Sequence, residues 1–209
     1  CQPGGAWGVV RTEVGALGIM LGSDVLYPEV GRALAFQGAE VLVAQGACLT
    51  PTLYNKQRAG GLARMQDNQL FAVSAFLVGP SQLKGPDVSA FVGKSAIFAP
   101  QEMTPRSNGV LVEMGNLRSE GVLAAQWDFA ALRGLWEMSE TPVRKQLPRQ
   151  QAGQLLAQLY ARLQALPNVA SREQLPGDAL EATGGGKRAL LPEQSLDDLV
   201  VIATVTQRW

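Results

Sequence analysis

Gly18-Ile19-Met20-Leu21-Gly22-Ser23-Asp24-Val25-Leu26-Tyr27-Pro28-Glu29-Val30-Gly31-Arg32 joins an apolar run to an amphipathic one through a short polar turn. That junction decides the fold class. The apolar run ends at Gly22, and Pro28 suits the first position of a helix, where an N–H would have no partner anyway. The stretch therefore predicts a strand, a turn over 22–27 on the rim of a sheet, and a helix over 28–38. In that helix Val30, Ala33, Leu34 and Gln37 recur at helical spacing and Gly38 is the stop. The rim at the carboxyl ends of strands is where α/β proteins gather their chemistry.

Outward from the turn, strands and helices alternate. Two strand patterns, 7–12 and 15–21, precede it, and a short buried strand over 40–44 follows the first helix. Helix formers then run over 54–68 around Gly60-Gly61, and 69–78 is rich in β-branched and aromatic residues. Pro, Gly and Ser make 79–92 a loop, and shorter strands at 94–98, 110–114 and 122–127 are suited to antiparallel pairing at the sheet edge. From Arg149 the pattern changes. Ala152, Leu155, Leu156, Leu159, Tyr160, Leu163 and Leu166 share one face of a helix over 149–166, which must bury that face in its own chain or in a second copy. A linker over 167–192 and a strand over 199–206 complete the chain, giving a domain at 1–148 and a C-terminal helix, linker and tail at 149–209. The run Gly184-Gly185-Gly186-Lys187-Arg188 lacks the spacing of a phosphate loop.

Composition removes several function classes. The 209 residues are 46% hydrophobic and 17% charged, enough apolar material for one core. Eighteen basic and eighteen acidic side chains balance to a formal charge of +0, and neither sign forms a block suited to nucleic acid or an anionic membrane. No apolar stretch reaches a membrane span, and no signal-type segment opens the sequence, so a cytoplasmic protein is expected. Two cysteines, Cys1 and Cys48, are too few for a disulfide framework or a thiolate metal site, and no metal or cofactor is expected. With no histidine, Ser-His-Asp and Cys-His mechanisms are excluded within this chain.

The turn resembles the nucleophile turn of the nitrilase, or carbon-nitrogen hydrolase, superfamily. There a Cys is followed by an aromatic residue, an acid, then Pro-Glu and an Arg; Asp24, Pro28, Glu29 and Arg32 match, and Gly22 stands at the Cys position. Four further landmarks follow in family order. They are Gln37-Gly38-Ala39-Glu40-Val41-Leu42-Val43, Ala63-Arg64-Met65-Gln66-Asp67-Asn68-Gln69-Leu70-Phe71, Gly93-Lys94-Ser95-Ala96-Ile97-Phe98-Ala99-Pro100, and Glu120-Gly121-Val122-Leu123-Ala124-Ala125-Gln126-Trp127-Asp128, the last followed by a short Leu and Arg helix. The resemblance implies an α/β fold, the four-layer αββα sandwich. Mainly its C-terminal half is expected here, with an added C-terminal helix and tail. The opening Cys1-Gln2-Pro3-Gly4-Gly5-Ala6-Trp7 has no Met and reads as mid-domain, so Cys1 reads as a truncation point rather than an N-terminal nucleophile.

The family's chemistry needs a thiolate, a Glu that moves the proton and a Lys that stabilises the developing charge. None is identified here, and no catalytic residue is assigned. Gly22, Ser23, Asp24, Tyr27, Gln45 and Cys48 are expected to line a substrate pocket at the rim. Ser23 lacks a strong base and reads as a rim serine, Asp24 as a turn residue bonded to nearby amides, and Cys48 as a buried, inert thiol before a displaced nucleophile. Glu29 and Arg32 are spaced for a local pair, and Asp67 with Asn68 for tying a helix end to a neighbouring loop. Three readings follow. They are a degenerate member binding a small amide-like or carboxylate ligand or a protein partner, an active hydrolase completed by upstream sequence or another chain, and an assembly subunit. A homo-oligomer through the sheet edge or the C-terminal helix and tail is the expected partner, with no nucleic acid or membrane.

Overall fold

The computed structural model describes residues 7–80, 90–146 and 149–162. The chain divides into two compact units, Cys1–Leu147 and Pro148–Trp209.

The first unit is built on a six-stranded sheet. Its strands are β1 (Val9–Thr12), β2 (Gly15–Leu21), β3 (Val41–Gly46) and β4 (Phe71–Phe76), then, past a two-stranded ribbon of β5 (Gly79–Pro80) and β6 (Ala90–Phe91), β7 (Ala96–Phe98) and β8 (Val110–Glu113). The order is β1-β2-β3-β4-β7-β8; β2, β3 and β4 run parallel and the outer pairings are antiparallel. Helix α1 (Pro28–Phe36) carries β2 into β3, and α2 (Pro51–Asn68) carries β3 into β4. Because the three parallel strands follow one another in space, two crossovers of the same hand put both helices on the same face. Val30 and Leu34 of α1 and Met65 of α2 meet Met20, Leu42, Ala72 and Phe98 of the sheet in one buried core.

The opposite face is covered at one end only. There Val41, Phe71 and Leu132 pack with Trp127, Phe129 and Trp136, drawn from α3 (Phe129–Met138) and the segment leading into it. Towards the carboxyl ends of the parallel strands that face opens, with Ile19 44% and Leu21 56% exposed.

Several sequence expectations move. Residues 122–127 form no strand. Their aromatic residue goes instead to the sheet face, where Trp127 stacks on Phe71 at 5.3 Å with an angle of 13°, and Asp128 caps α3 by accepting from the Ala131 amide. Helix α2 starts three residues before the expected Tyr54, since Thr50 accepts from the Leu53 amide and Pro51 takes the first helical position. It ends where Gln69 turns left-handed at φ 47°. Gly60 sits inside this helix because a Cβ there would lie 2.7 Å from the Val25 carbonyl oxygen. The expected loop at 79–92 contains the β5–β6 ribbon.

In the second unit, α5 (Arg149–Arg162) carries the expected helix over 149–166 as far as the described residues run, with Leu155 and Leu156 54% and 43% exposed and Leu163 and Leu166 outside the described residues. A further short helix, α4 (Val143–Gln146), closes the first unit. Cys1, the linker over 167–192 and the strand over 199–206 lie outside the described residues. No helix among the described residues is long and apolar enough to cross a membrane.

Candidate ligand site at the Gly22 turn

Strand β2 passes straight into a short 3-10 helix, Gly22–Leu26. The Leu21 amide donates to Asp24 Oδ2 at 3.0 Å, and the Tyr27 amide donates to the Asp24 carbonyl at 3.1 Å. Asp24 is therefore the brace of this turn, as its position suggested. Val25 anchors the turn from beneath, 2% exposed in the core shared with α1 and α2.

Gly22 adopts φ +54°, the left-handed region that side chains other than glycine occupy at a cost. A Cβ built on it meets no atom within 4 Å. The turn thus keeps the room for a side chain at this point and supplies none.

Gly22 also lines a concavity of about 560 Å³ across the carboxyl ends of β2, β3 and β4. Leu21, Gly22, Gln45, Gly46, Phe76 and Leu77 line it, with Ala47 and Ala75. Register makes this possible: Leu21 pairs with Gln45 and Gln45 with Ala75, so the three side chains stand in a row on the open face. Among the described residues the lining contains no charged side chain, and Gln45 supplies its one polar side chain.

Of the residues expected at this site, Gly22 and Gln45 line the concavity and four do not. Ser23 is exposed on the turn, Asp24 is turned back onto Leu21, and Tyr27 is 57% exposed at the start of α1. Cys48 corrects the pocket expectation most clearly. Its side chain is fully buried, and its Sγ donates to Gln57 Oε1 at 3.4 Å. Burial pushes its thiol above the ordinary value, the opposite of an activated nucleophile. The chain leaves β3 by turning Cys48 inward, and Val92 donates its amide to the Cys48 carbonyl at 2.8 Å.

Sequence reasoning missed Leu21, Gly46, Ala47, Ala75, Phe76 and Leu77. Only strand pairing brings the end of β4 beside the end of β3, and no local signal marks that. The ring of Phe76 rests edge-on against Tyr54 at 5.1 Å, and Ser95 Oγ accepts the Phe76 amide at 3.0 Å.

Outside the lining, Glu113 on β8 pairs with Arg58 of α2 and with Lys94, the latter at 3.2 Å. Burial works against the charged carboxylate, but the hydrogen bonds from Arg58 and Lys94 outweigh it and hold the Glu113 pKa below 4.5. At the other end of α2, Asp67 pairs with Arg64 of its own helix at 2.9 Å and Asn68 donates to the Arg64 carbonyl at 2.8 Å. The expected tie from these two residues to a neighbouring loop is therefore replaced by contacts within the helix. The link to a later segment comes from Arg144, which donates to carbonyls in the last turns of two helices, Ala35 of α1 and Asn68 of α2, and lies over the Trp136 ring.

Comparison with known proteins adds to this geometry. The family model for carbon-nitrogen hydrolases matches residues 1–137. An (R)-stereoselective amidase from a Pseudomonas species is 35% identical over 100 residues, 47% of this chain and 34% of the amidase. Among solved structures, a carbon-nitrogen hydrolase from Helicobacter pylori superposes with a TM-score of 0.59 at 22% identity, covering 74% of this chain and 54% of that one. Saccharomyces cerevisiae Nit3, a member of branch 10 of the nitrilase superfamily, gives 0.52 at 19% identity over 66% of this chain and 47% of its own. These likenesses establish a shared mixed α/β fold. The chain spans about a third of the amidase and about half of each of the two structures.

Proposed function

The chain belongs to the carbon-nitrogen hydrolase family, and on that premise we propose that it is a catalytically degenerate member that holds a small, uncharged amide-like ligand at the Gly22 turn without cleaving it. Gly22 carries the reading. It stands where the resembling motif has its nucleophile, and the space for a side chain is present but empty. No covalent intermediate can form at a residue without a side chain. The alternatives within reach are poor, since Cys48 is buried with a raised pKa and Ser23 has no histidine in the chain to act as its base.

The lining favours an amide over a carboxylate. Moving an anion from water into a concavity without a cation is costly, whereas Gln45 offers both a donor and an acceptor to a neutral amide. The test is to incubate the full-length protein with simple amides and nitriles, measuring ammonia release and, by ligand-observed NMR, saturable binding. Binding without turnover is the expected result. Turnover would overturn degeneracy, and absence of binding would overturn the ligand reading.

A second reading is an active hydrolase completed by sequence beyond this chain. It is favoured by the share of the relatives that the chain spans, which leaves the Glu and Lys of the resemblance outside it. Turnover lost on Ser23→Ala in the full-length protein would support it. The exposed Leu155 and Leu156 of α5 support self-association as well. A paired Leu155→Glu and Leu156→Glu substitution that leaves the mass in light scattering unchanged would remove that element.

A further inference from the structure

We propose that Asn108 is a site of spontaneous covalent modification, cyclising onto the Gly109 amide and hydrolysing to aspartate and isoaspartate, and that Thr104 gates the reaction.

Asn108-Gly109 is the one Asn-Gly step in the sequence, and it lies in the loop between β7 and β8. Glycine carries no Cβ to obstruct its nitrogen, so an asparagine side chain is attacked most readily at such a step. The Gly109 nitrogen bonds to Asn108 Cγ. The bond from Cγ to the side-chain nitrogen breaks, and that nitrogen leaves as ammonia with the proton that Gly109 gives up. Water then opens the cyclic imide at either carbonyl, giving aspartate or, with one extra backbone carbon, isoaspartate.

The structure primes the carbon and withholds the nucleophile. Asn108 is exposed, and its Oδ1 accepts the Val110 amide at 3.0 Å, which polarises the carbonyl that is attacked. Gly109 is buried. Its amide donates to Thr104 Oγ1 at 3.2 Å and its carbonyl accepts the Ala99 amide at 3.2 Å, so both sides of the residue are held. Thr104 is 6% exposed and is itself fixed, donating from Oγ1 to the Gln101 carbonyl at 3.0 Å. To attack, the Gly109 nitrogen must lose its proton, and an amide anion in that buried site is costly. Cyclisation therefore proceeds from the opened loop, as amide hydrogen exchange does.

Isoaspartate does not fit back into this loop. A Cβ built on Gly109 would lie 2.9 Å from Met65 Cε and 3.2 Å from Leu62 Cδ2, so the backbone here lies close against α2. One extra backbone carbon pushes into that contact just before β8 begins at Val110.

The experiment incubates the full-length protein at mildly alkaline pH, native and in denaturant, and follows position 108 by peptide mass mapping and isoaspartate by enzymatic methylation. Wild type, Thr104→Val and Thr104→Ser are compared. Conversion at 108 should be slower in the native wild type than in denaturant by roughly tenfold or more. Thr104→Val should raise the native rate about fivefold, the share of one hydrogen bond in the opening equilibrium, whereas Thr104→Ser, which keeps the hydroxyl, should stay near the wild type. The wild-type comparison holds whether or not Thr104→Val folds. Equal rates in native and denatured wild type overturn the gating, and a folded Thr104→Val at the wild-type rate overturns the role of Thr104. No conversion at 108 in denaturant overturns the site.

Discussion

Asp24 accepts the amide of Leu21 across the intervening Gly22 and Ser23 at 3.0 Å, closing the turn on its own brace. The bond fixes where β2 ends and the direction in which position 22 opens. Asp24→Ala should cost about 0.5–1.5 kcal/mol, the worth of one such hydrogen bond. Asp24→Asn, which keeps an accepting oxygen, should recover most of it. Chemical denaturation of the three proteins checks this, and equal midpoints for wild type and Asp24→Ala would remove the brace.

Gly22→Cys places a thiol in open space but at a left-handed φ of +54°, so it should destabilise by about 1–2 kcal/mol. The introduced thiol should be alkylated by iodoacetamide in the native protein, located by peptide mass mapping. If position 22 stays unmodified until the protein unfolds, the direction assigned to its side chain is wrong.

Cys48 should behave in the opposite way. Its folded pKa is raised by burial, so the folded thiol keeps its proton to higher pH than the unfolded one. The associated stability is constant below the ordinary thiol value and falls as pH rises above it. At mildly alkaline pH Cys48 should resist alkylation in the native state and react promptly in denaturant.

Glu113 should set part of the acid limit. Its folded pKa is lowered, so the stability it contributes is full above pH 4.5 and is lost as pH falls through the folded value. Glu113→Gln should cost about 1–2 kcal/mol at neutral pH and flatten the acid limb of a stability-against-pH curve. An unchanged acid limb in that variant would assign the loss to other carboxylates.

Two glycine substitutions should have opposite signs. Gly46→Ala drives a Cβ into Gln57 and the Phe76 ring and should cost about 1–3 kcal/mol. Gly134→Ala lies in α3 with no atom within 4 Å of its Cβ, and should stabilise by about 0.5–1 kcal/mol through helix propensity. Thermal melts of both variants beside the wild type decide this pair.

Local chemistry made much of the fold legible. The strand ending at Leu21, the proline opening α1 and the brace at Asp24 each depend on residues within a turn of one another, and such signals survive whatever packs around them. The exceptions were long-range. Trp127 reads as part of a strand because its neighbours are apolar, yet the hydrophobic surface it covers is Phe71, brought there by the sheet. Gly60 reads as a weak point in a helix, and only the approach of the Val25 carbonyl explains it.

By itself, the sequence determined the order of elements, the family resemblance and the lack of a side chain at position 22, because these are properties of the residue string. The tertiary structure alone decided which side chains share the concavity. Register between β2, β3 and β4 set Leu21, Gln45 and Ala75 in one row on the open face, while the turn after β3 buried Cys48 away from it. Strand pairing is a contact between residues distant in sequence, and a shift of one residue would have sent the opposite set of side chains to that face.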